Sequence, residues 1–294
     1  MDWSRDSEIW PNAKHSRFVA CAPHRWHVQE AGSGRSVLLL HGAGGATQSW
    51  RSMFPILAGE AHVIAPDLPG QGFSKMGTRT RCGLEDMSDD LARLLKQEGW
   101  HPDIVVGHSA GGALALWLAE SLGVPTVIGL NAALGKFEGV AGWLFPLIAK
   151  AMSLNPLVPP LLARMTGSET RVRELLAATG SRTDPLGVAL YRKLMSDAGH
   201  IDGTLAMMAR WDIDPLLARL PTINAKVMLV TGELDGTVLP EVSARAATRL
   251  PDASHVKLPE LGHLMHEEAP EKICGLILDV LGETCRASHT AAAG

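Results

Sequence analysis

The sequence predicts an α/β fold: a doubly wound, mostly parallel sheet carrying a helical cap as an insertion. Three observations predict it. Short apolar runs alternate with helical patterns from about residue 25 to residue 132. Over 133–220 the strand signals vanish and helical patterns broken by proline and glycine take over. Strand–helix alternation then returns over 221–281. Alternation of this kind builds a parallel sheet covered by helices. The expected organisation is a core of 1–132 and 221–281, a cap of 133–220 and a flexible tail of 282–294.

The elements follow in order. Ser36-Val37-Leu38-Leu39-Leu40, His62-Val63-Ile64-Ala65-Pro66, Asp103-Ile104-Val105-Val106-Gly107 and Thr126-Val127-Ile128-Gly129-Leu130 are continuous apolar runs. Such runs suit central parallel strands buried on both faces. Between them, 84–98 and 112–122 read as helices, the first with Leu84, Met87, Leu91, Leu94 and Leu95 at three- and four-residue steps. That spacing makes one apolar stripe. The cap is punctuated by Pro156, Pro159, Pro160, Gly167, Gly180, Pro185, Gly199 and Pro215. Beyond it, Lys226-Val227-Met228-Leu229-Val230 and Ser254-His255-Val256-Lys257-Leu258 read as strands, with helices over 240–250 and 270–281. The closing Thr290-Ala291-Ala292-Ala293-Gly294 reads as a frayed end.

Composition narrows the function classes. The 294 residues are 46% hydrophobic and 20% charged, with a formal net charge of -4. Lys and Arg are scattered, which argues against nucleic acid and against a basic membrane-docking face. Cys21, Cys82, Cys274 and Cys285 form no C-x-x-C pair and read as free thiols of a reducing compartment. The N-terminus carries no signal pattern, and no apolar run approaches the roughly 18–20 residues that span a bilayer. The expected location is cytoplasmic, with peripheral membrane contact left open.

Four motifs carry chemistry. Gly107-His108-Ser109-Ala110-Gly111 sits between a strand and a helix, the context of a nucleophile elbow. A turn that tight needs small neighbours, and it presents Ser109 beside a helix N-terminus. His41-Gly42-Ala43-Gly44-Gly45 follows the first apolar run and can aim a backbone amide at an oxyanion. Ala43 and Ala110 are the expected oxyanion donors, and His41 is expected to fix the loop. Thr231-Gly232-Glu233-Leu234-Asp235-Gly236 supplies an acid, with Asp235 favoured over Glu233 as the shorter, deeper carboxylate. Asn131 occupies another strand tip, but an amide cannot balance an imidazolium. Glu260-Leu261-Gly262-His263-Leu264-Met265-His266-Glu267-Glu268 supplies the base. His263 is favoured over His266, which reads as a solvated or capping residue. His15, His24, His101 and His289 read as surface groups, and Asp67 as a turn residue. The expected triad is Ser109, Asp235 and His263, with no cofactor and no metal.

The cap is rich in large, soft side chains, and most of them are expected to form its own core. Trp143, Met207, Met208 and Trp211, together with His41, Gly42 and His108, are the expected substrate contacts. Methionine adapts to irregular shapes, which favours a bulky apolar substrate over a sugar or a charged metabolite.

The order Ser, acid, His after successive strands resembles the α/β-hydrolase superfamily over about residues 25–281. The spacing of that family also favours Asp235. A narrower resemblance rests on Asp2-Trp3, Trp10-Pro11-Asn12, His15-Ser16-Arg17-Phe18-Val19, Trp26-His27-Val28-Gln29, Asn155-Pro156-Leu157-Val158-Pro159, Thr179-Gly180-Ser181, Met207-Met208-Ala209-Arg210-Trp211-Asp212 and the stretch 261–268. On these the chain is similar to the magnesium-chelatase accessory family encoded among bacteriochlorophyll biosynthesis genes. Gln71 and Ala43 stand where those relatives often have His and Thr. The resemblance implies a role around magnesium insertion into protoporphyrin IX, contact with magnesium chelatase and a place at the periphery of the photosynthetic membrane. It implies no particular reaction. Three readings stay open: an ester hydrolase acting on an apolar or tetrapyrrole substrate, a non-catalytic protein that binds and delivers porphyrin, and a lyase or C–C hydrolase on the same scaffold.

Overall fold

The computed structural model describes residues 1–135 and 155–291, with side chains described through residue 283. Eight strands form one sheet: β1 (Ser16–Cys21), β2 (His24–Ala31), β3 (Ser36–Leu40), β4 (His62–Pro66), β5 (Ile104–His108), β6 (Thr126–Leu130), β7 (Lys226–Gly232) and β8 (Ala253–Leu258), in the order β1-β2-β4-β3-β5-β6-β7-β8. β1 pairs antiparallel with β2, and β2 antiparallel with β4; every other pair is parallel.

The apolar runs become strands because both faces of the sheet are covered. Side chains alternate along a strand. Leu38, Leu40, Val105, Val127 and Leu229 point into one core, and Val37, Leu39, Val106, Ile128 and Val230 into the other. The first core is closed by helices Leu84–Glu98 and Ala110–Leu122. In the former, the stripe Leu84, Met87, Leu91, Leu94 and Leu95 is wholly buried, and Gly99 ends the helix in the left-handed conformation. Each fully buried leucine contributes about 2 kcal/mol of hydrophobic stabilisation. The second core is closed by helices Met53–Ala58 and Pro270–Ala291.

The register sets up the site. Leu40 lies opposite Gly107, Gly107 opposite Gly129, Leu130 opposite Val230, and Gly232 opposite Leu258. The carboxyl ends of β3, β5, β6, β7 and β8 are therefore level, and their loops converge on one edge, where open α/β sheets bind ligands. Between β6 and β7 the described residues form helices Val158–Thr166, Glu169–Ala178, Pro185–Met195, Ala198–Arg210 and Asp214–Arg219. Val172, Leu176, Val188 and Leu194 of this insertion pack with Trp10, Ala46, Phe73 and Leu264 of the sheet side.

The structure departs from the sequence reading in two places. β1 and β2 were not anticipated as strands; in β2 the polar His27 and Gln29 interrupt the apolar pattern yet are fully buried. At the other end, helix Pro270–Ala291 runs through most of the segment expected as a flexible tail. Nothing in Gly282-Glu283-Thr284-Cys285-Arg286-Ala287-Ser288-His289-Thr290-Ala291 breaks a helix that is already nucleated upstream. No described helix is long and apolar enough to cross a membrane.

Candidate active site

Ser109 stands at the junction of β5 and helix Ala110–Leu122 with φ 52° and ψ −118°. A non-glycine residue in that conformation costs about 1–3 kcal/mol and needs its surroundings to hold it. They do so through the backbone. Ser109 N–H donates to Leu130 O at 3.0 Å, and Ser109 O accepts from Gly112 N–H at 3.0 Å and Ala133 N–H at 2.9 Å. The neighbours must be small. A Cβ on Gly107 would lie 2.1 Å from Gly111 O, and one on Gly111 would lie 2.1 Å from Leu40 O.

The expected acid and base meet. His263 Nδ1 lies 2.7 Å from Asp235 Oδ2, and both residues are buried. The other carboxylate oxygen accepts from Thr237 N–H at 2.6 Å and Val238 N–H at 2.9 Å. With Nδ1–H given to Asp235, the Nε2 of a neutral His263 ring is left as an acceptor. Glu233, the rival acid, is exposed. Asn131 is no acid but a fastener: its Oδ1 accepts from Gly232 N–H, and its Nδ2 donates to Gly262 O and His263 O, each at 2.9 Å. His108, next to the serine, also meets His263 O through Nε2 at 2.9 Å. No hydrogen bond joins the Ser109 hydroxyl to the His263 ring among the described residues; such bonds often tighten only in the substrate complex.

His266 corrects an expectation. It is fully buried, not solvated, with its ring 4.6 Å from Trp50 and 4.4 Å from His108. Neither of its ring nitrogens has a hydrogen-bond partner among the described residues. Burial first, then the nearby His263, holds its pKa well below the ordinary histidine value. The acids beside it turn elsewhere. Glu267 pairs with Arg51 and accepts from the Tyr191 hydroxyl at 2.7 Å, while Glu268 accepts from Gly262 N–H at 3.0 Å and Arg182 N–H at 3.2 Å. His24 is likewise buried rather than a surface group, 2.9 Å from Asp90.

The glycine-rich loop after β3 is fixed from several sides. Leu68 N–H donates to His41 Nε2 at 2.9 Å, and His41 Nδ1–H donates to Gly42 O at 2.8 Å. His41, expected both to fix the loop and to touch substrate, is fully buried with both ring nitrogens occupied by backbone groups. Gly44 N–H donates to Gln71 Oε1 at 2.7 Å. His200, from helix Ala198–Arg210, accepts from Gly72 N–H through Nδ1 at 3.0 Å and donates from Nε2 to Gly44 O at 3.1 Å. Burial, its main cause, holds the His200 pKa down at about 4. Ala43 is exposed at the loop tip, and Ala110 opens its helix, where first-turn amides have no intrahelical acceptor. Gly42 lies against the serine: a Cβ there would sit 3.0 Å from Ser109 Cβ.

The expected cap contacts divide. Met207 is 1% exposed, packs into the core and receives Gln71 Nε2 at 3.2 Å on its sulfur, so it steadies Gln71 instead of lining a pocket. Met208 and Trp211 are partly exposed, the latter packed on the core. Trp143 lies outside the described residues. Among the described residues, no group of three or more His, Cys, Asp or Glu side chains is arranged for a metal. Gln71, His200 and Asn131 went unrecognised in the sequence as supports of the site; each is a polar residue in a loop or helix whose partner is distant in the chain.

Comparison with known proteins gives a consistent result. The sequence pattern of the alpha/beta hydrolase fold matches residues 35–270. The chain is 43% identical over 274 residues to a "Magnesium-chelatase 30 kDa subunit" of Rhodobacter capsulatus, covering 92% of this chain and 96% of that one. Among solved structures, a putative lipase from Acinetobacter baumannii superposes with a TM-score of 0.74 at 22% identity, covering 91% of each chain. The epoxide hydrolase CorEH gives a TM-score of 0.76 at 21% identity, covering 92% of this chain and 99% of that one.

Proposed function

The chain belongs to the α/β-hydrolase family, and from that membership we propose that it is a serine hydrolase with Ser109, His263 and Asp235 as its catalytic triad. The observation that carries the reading is the buried 2.7 Å pair of His263 and Asp235 at the sheet edge where the strained Ser109 elbow emerges. In the reaction, Ser109 Oγ forms a bond to an ester carbonyl carbon while its proton passes to His263 Nε2. The Ala43 and Ala110 amides receive the oxyanion, each worth about 3 kcal/mol of barrier. Collapse breaks the ester C–O bond, and the alcohol leaves with the proton from His263. A water deprotonated by His263 then releases the acid and restores Ser109. Asp235 sets the tautomer and stabilises the imidazolium throughout.

A bulky apolar ester is favoured by the soft side chains of the insertion, and the similarity to a magnesium-chelatase subunit favours a tetrapyrrole among such molecules and contact with a chelatase. The same similarity favours a second reading, a non-catalytic protein that binds porphyrin and delivers it to the chelatase. Fluorophosphonate labelling of the purified protein separates the two. The hydrolase reading expects labelling of the wild type that disappears in Ser109→Ala and in His263→Ala. A folded wild type that does not label, yet binds protoporphyrin saturably, favours delivery.

A further inference from the structure

The Thr179-Gly180-Ser181 turn is unused by the chemistry above, yet it touches both loops that supply the acid and the base. It follows helix Glu169–Ala178, which belongs to the insertion and not to the sheet. The carbonyl oxygen of Thr179 accepts two hydrogen bonds: from Gly236 N–H, directly after Asp235, at 3.1 Å, and from His263 N–H itself at 3.2 Å. Two residues on, Ser181 Oγ accepts from Leu264 N–H at 2.7 Å. The next residue, Arg182, gives its N–H to Glu268, whose other oxygen holds Gly262 N–H. The approach is as close as backbones allow. Gly180 has φ +78°, and a Cβ there would lie 1.7 Å from Leu234 O; a Cβ on Gly262 would lie 2.4 Å from Gly180 C.

We infer that this turn of the cap is the positioning element of the acid–base pair: it sets the separation of Asp235 and His263, so the site is competent only with the cap seated on it. The inference rests on the catalytic reading of that pair. One carbonyl shared by both loops couples them directly, and a shift of the insertion moves the two N–H donors together or breaks one of them. The sheet supplies the serine; the insertion aligns what activates it. Ser181 acts through Leu264 on the His263 backbone and touches no reacting atom.

The experiment compares full-length wild type with Ser181→Ala and Ser181→Thr by two readouts. One is the rate of fluorophosphonate labelling. The other is the far-downfield proton resonance of a histidine Nδ1–H bonded to a buried carboxylate, assigned by its loss in His263→Ala. Misplacement of a catalytic group by about 1 Å costs on the order of 100-fold in rate. Ser181→Ala is expected to slow labelling by about 10-fold to 100-fold and to shift or broaden the resonance, and Ser181→Thr, which keeps the hydroxyl, to restore both. Wild-type labelling and an unchanged resonance in Ser181→Ala overturn the inference. If the wild type does not label, the hydrolase reading falls, and the resonance alone decides whether the turn positions the pair.

Discussion

Acidification from pH 7 to pH 5 should destabilise the protein through His200, and the size of the effect follows from its contacts. Nδ1 accepts an N–H from Gly72 while Nε2 donates to Gly44 O, an arrangement open only to the neutral ring. Protonation would set Nδ1–H against the Gly72 N–H inside a buried site. Its folded pKa is about 4 against an ordinary 6.5. Because the folded value is the lower one, the unfolded chain binds the proton first. Stability is therefore fully present above about pH 7 and falls as the pH drops from 6.5 towards 4. At pH 5 the unfolded histidine is mostly charged and the folded one mostly neutral, a loss of about 2 kcal/mol. Urea unfolding at pH 7 and pH 5, for wild type and His200→Gln, measures it. The variant should show about 2 kcal/mol less pH dependence than the wild type over that interval. Equal pH dependence in the two proteins, or an NMR titration that places His200 near 6.5 in the folded state, refutes the reasoning.

Three further outcomes follow from particular contacts. Arg51→Met strands the buried Glu267 carboxylate, which burial already pushes up in pKa, and should cost about 3–5 kcal/mol in urea unfolding. Since the stranded group is one whose folded pKa is raised, the deficit should grow as the pH rises above the ordinary carboxylate range, and Arg51→Met/Glu267→Leu should recover part of it. Gly111→Ala forces a methyl to within 2.1 Å of Leu40 O, so thermal unfolding should report a loss of at least about 1–3 kcal/mol; a neutral result would mean that the elbow relaxes freely. Cys274 is buried, and its thiol is pushed up to about 12, so peptide mapping after treatment with a thiol reagent at pH 8 should find it unmodified in the folded protein and modified once unfolded.

Much of the fold was legible because its signals are local. The runs at 36–40, 62–66, 126–130 and 226–230 are strands in the structure, since a buried parallel strand announces itself by composition alone. Ser109 and Gly107 were legible because strand, small residues and helix lie next to each other in the chain. What escaped depends on partners remote in sequence. His27 looks like a surface position until Asp67 is found 2.7 Å from its Nδ1. His266 looks solvated until Glu267 and Glu268 are seen to turn away to Arg51 and Gly262. Met207 looks like pocket lining until Gln71 is found on its sulfur. In each case the residue type was read correctly and its surroundings were not, because the surroundings are made by tertiary contacts.

Asn131 carries an evolutionary consequence. Its strand tip is one at which an acid could face the histidine loop, and a single base change separates Asn from Asp codons. Here the amide donates to the carbonyls of Gly262 and His263 while accepting from Gly232. A carboxylate in its place would turn both donated bonds into oxygen–oxygen repulsion at a fully buried position. On the proposed triad, moving the acid from β7 to β6 by the single change Asn131→Asp would therefore break two hydrogen bonds to the histidine loop.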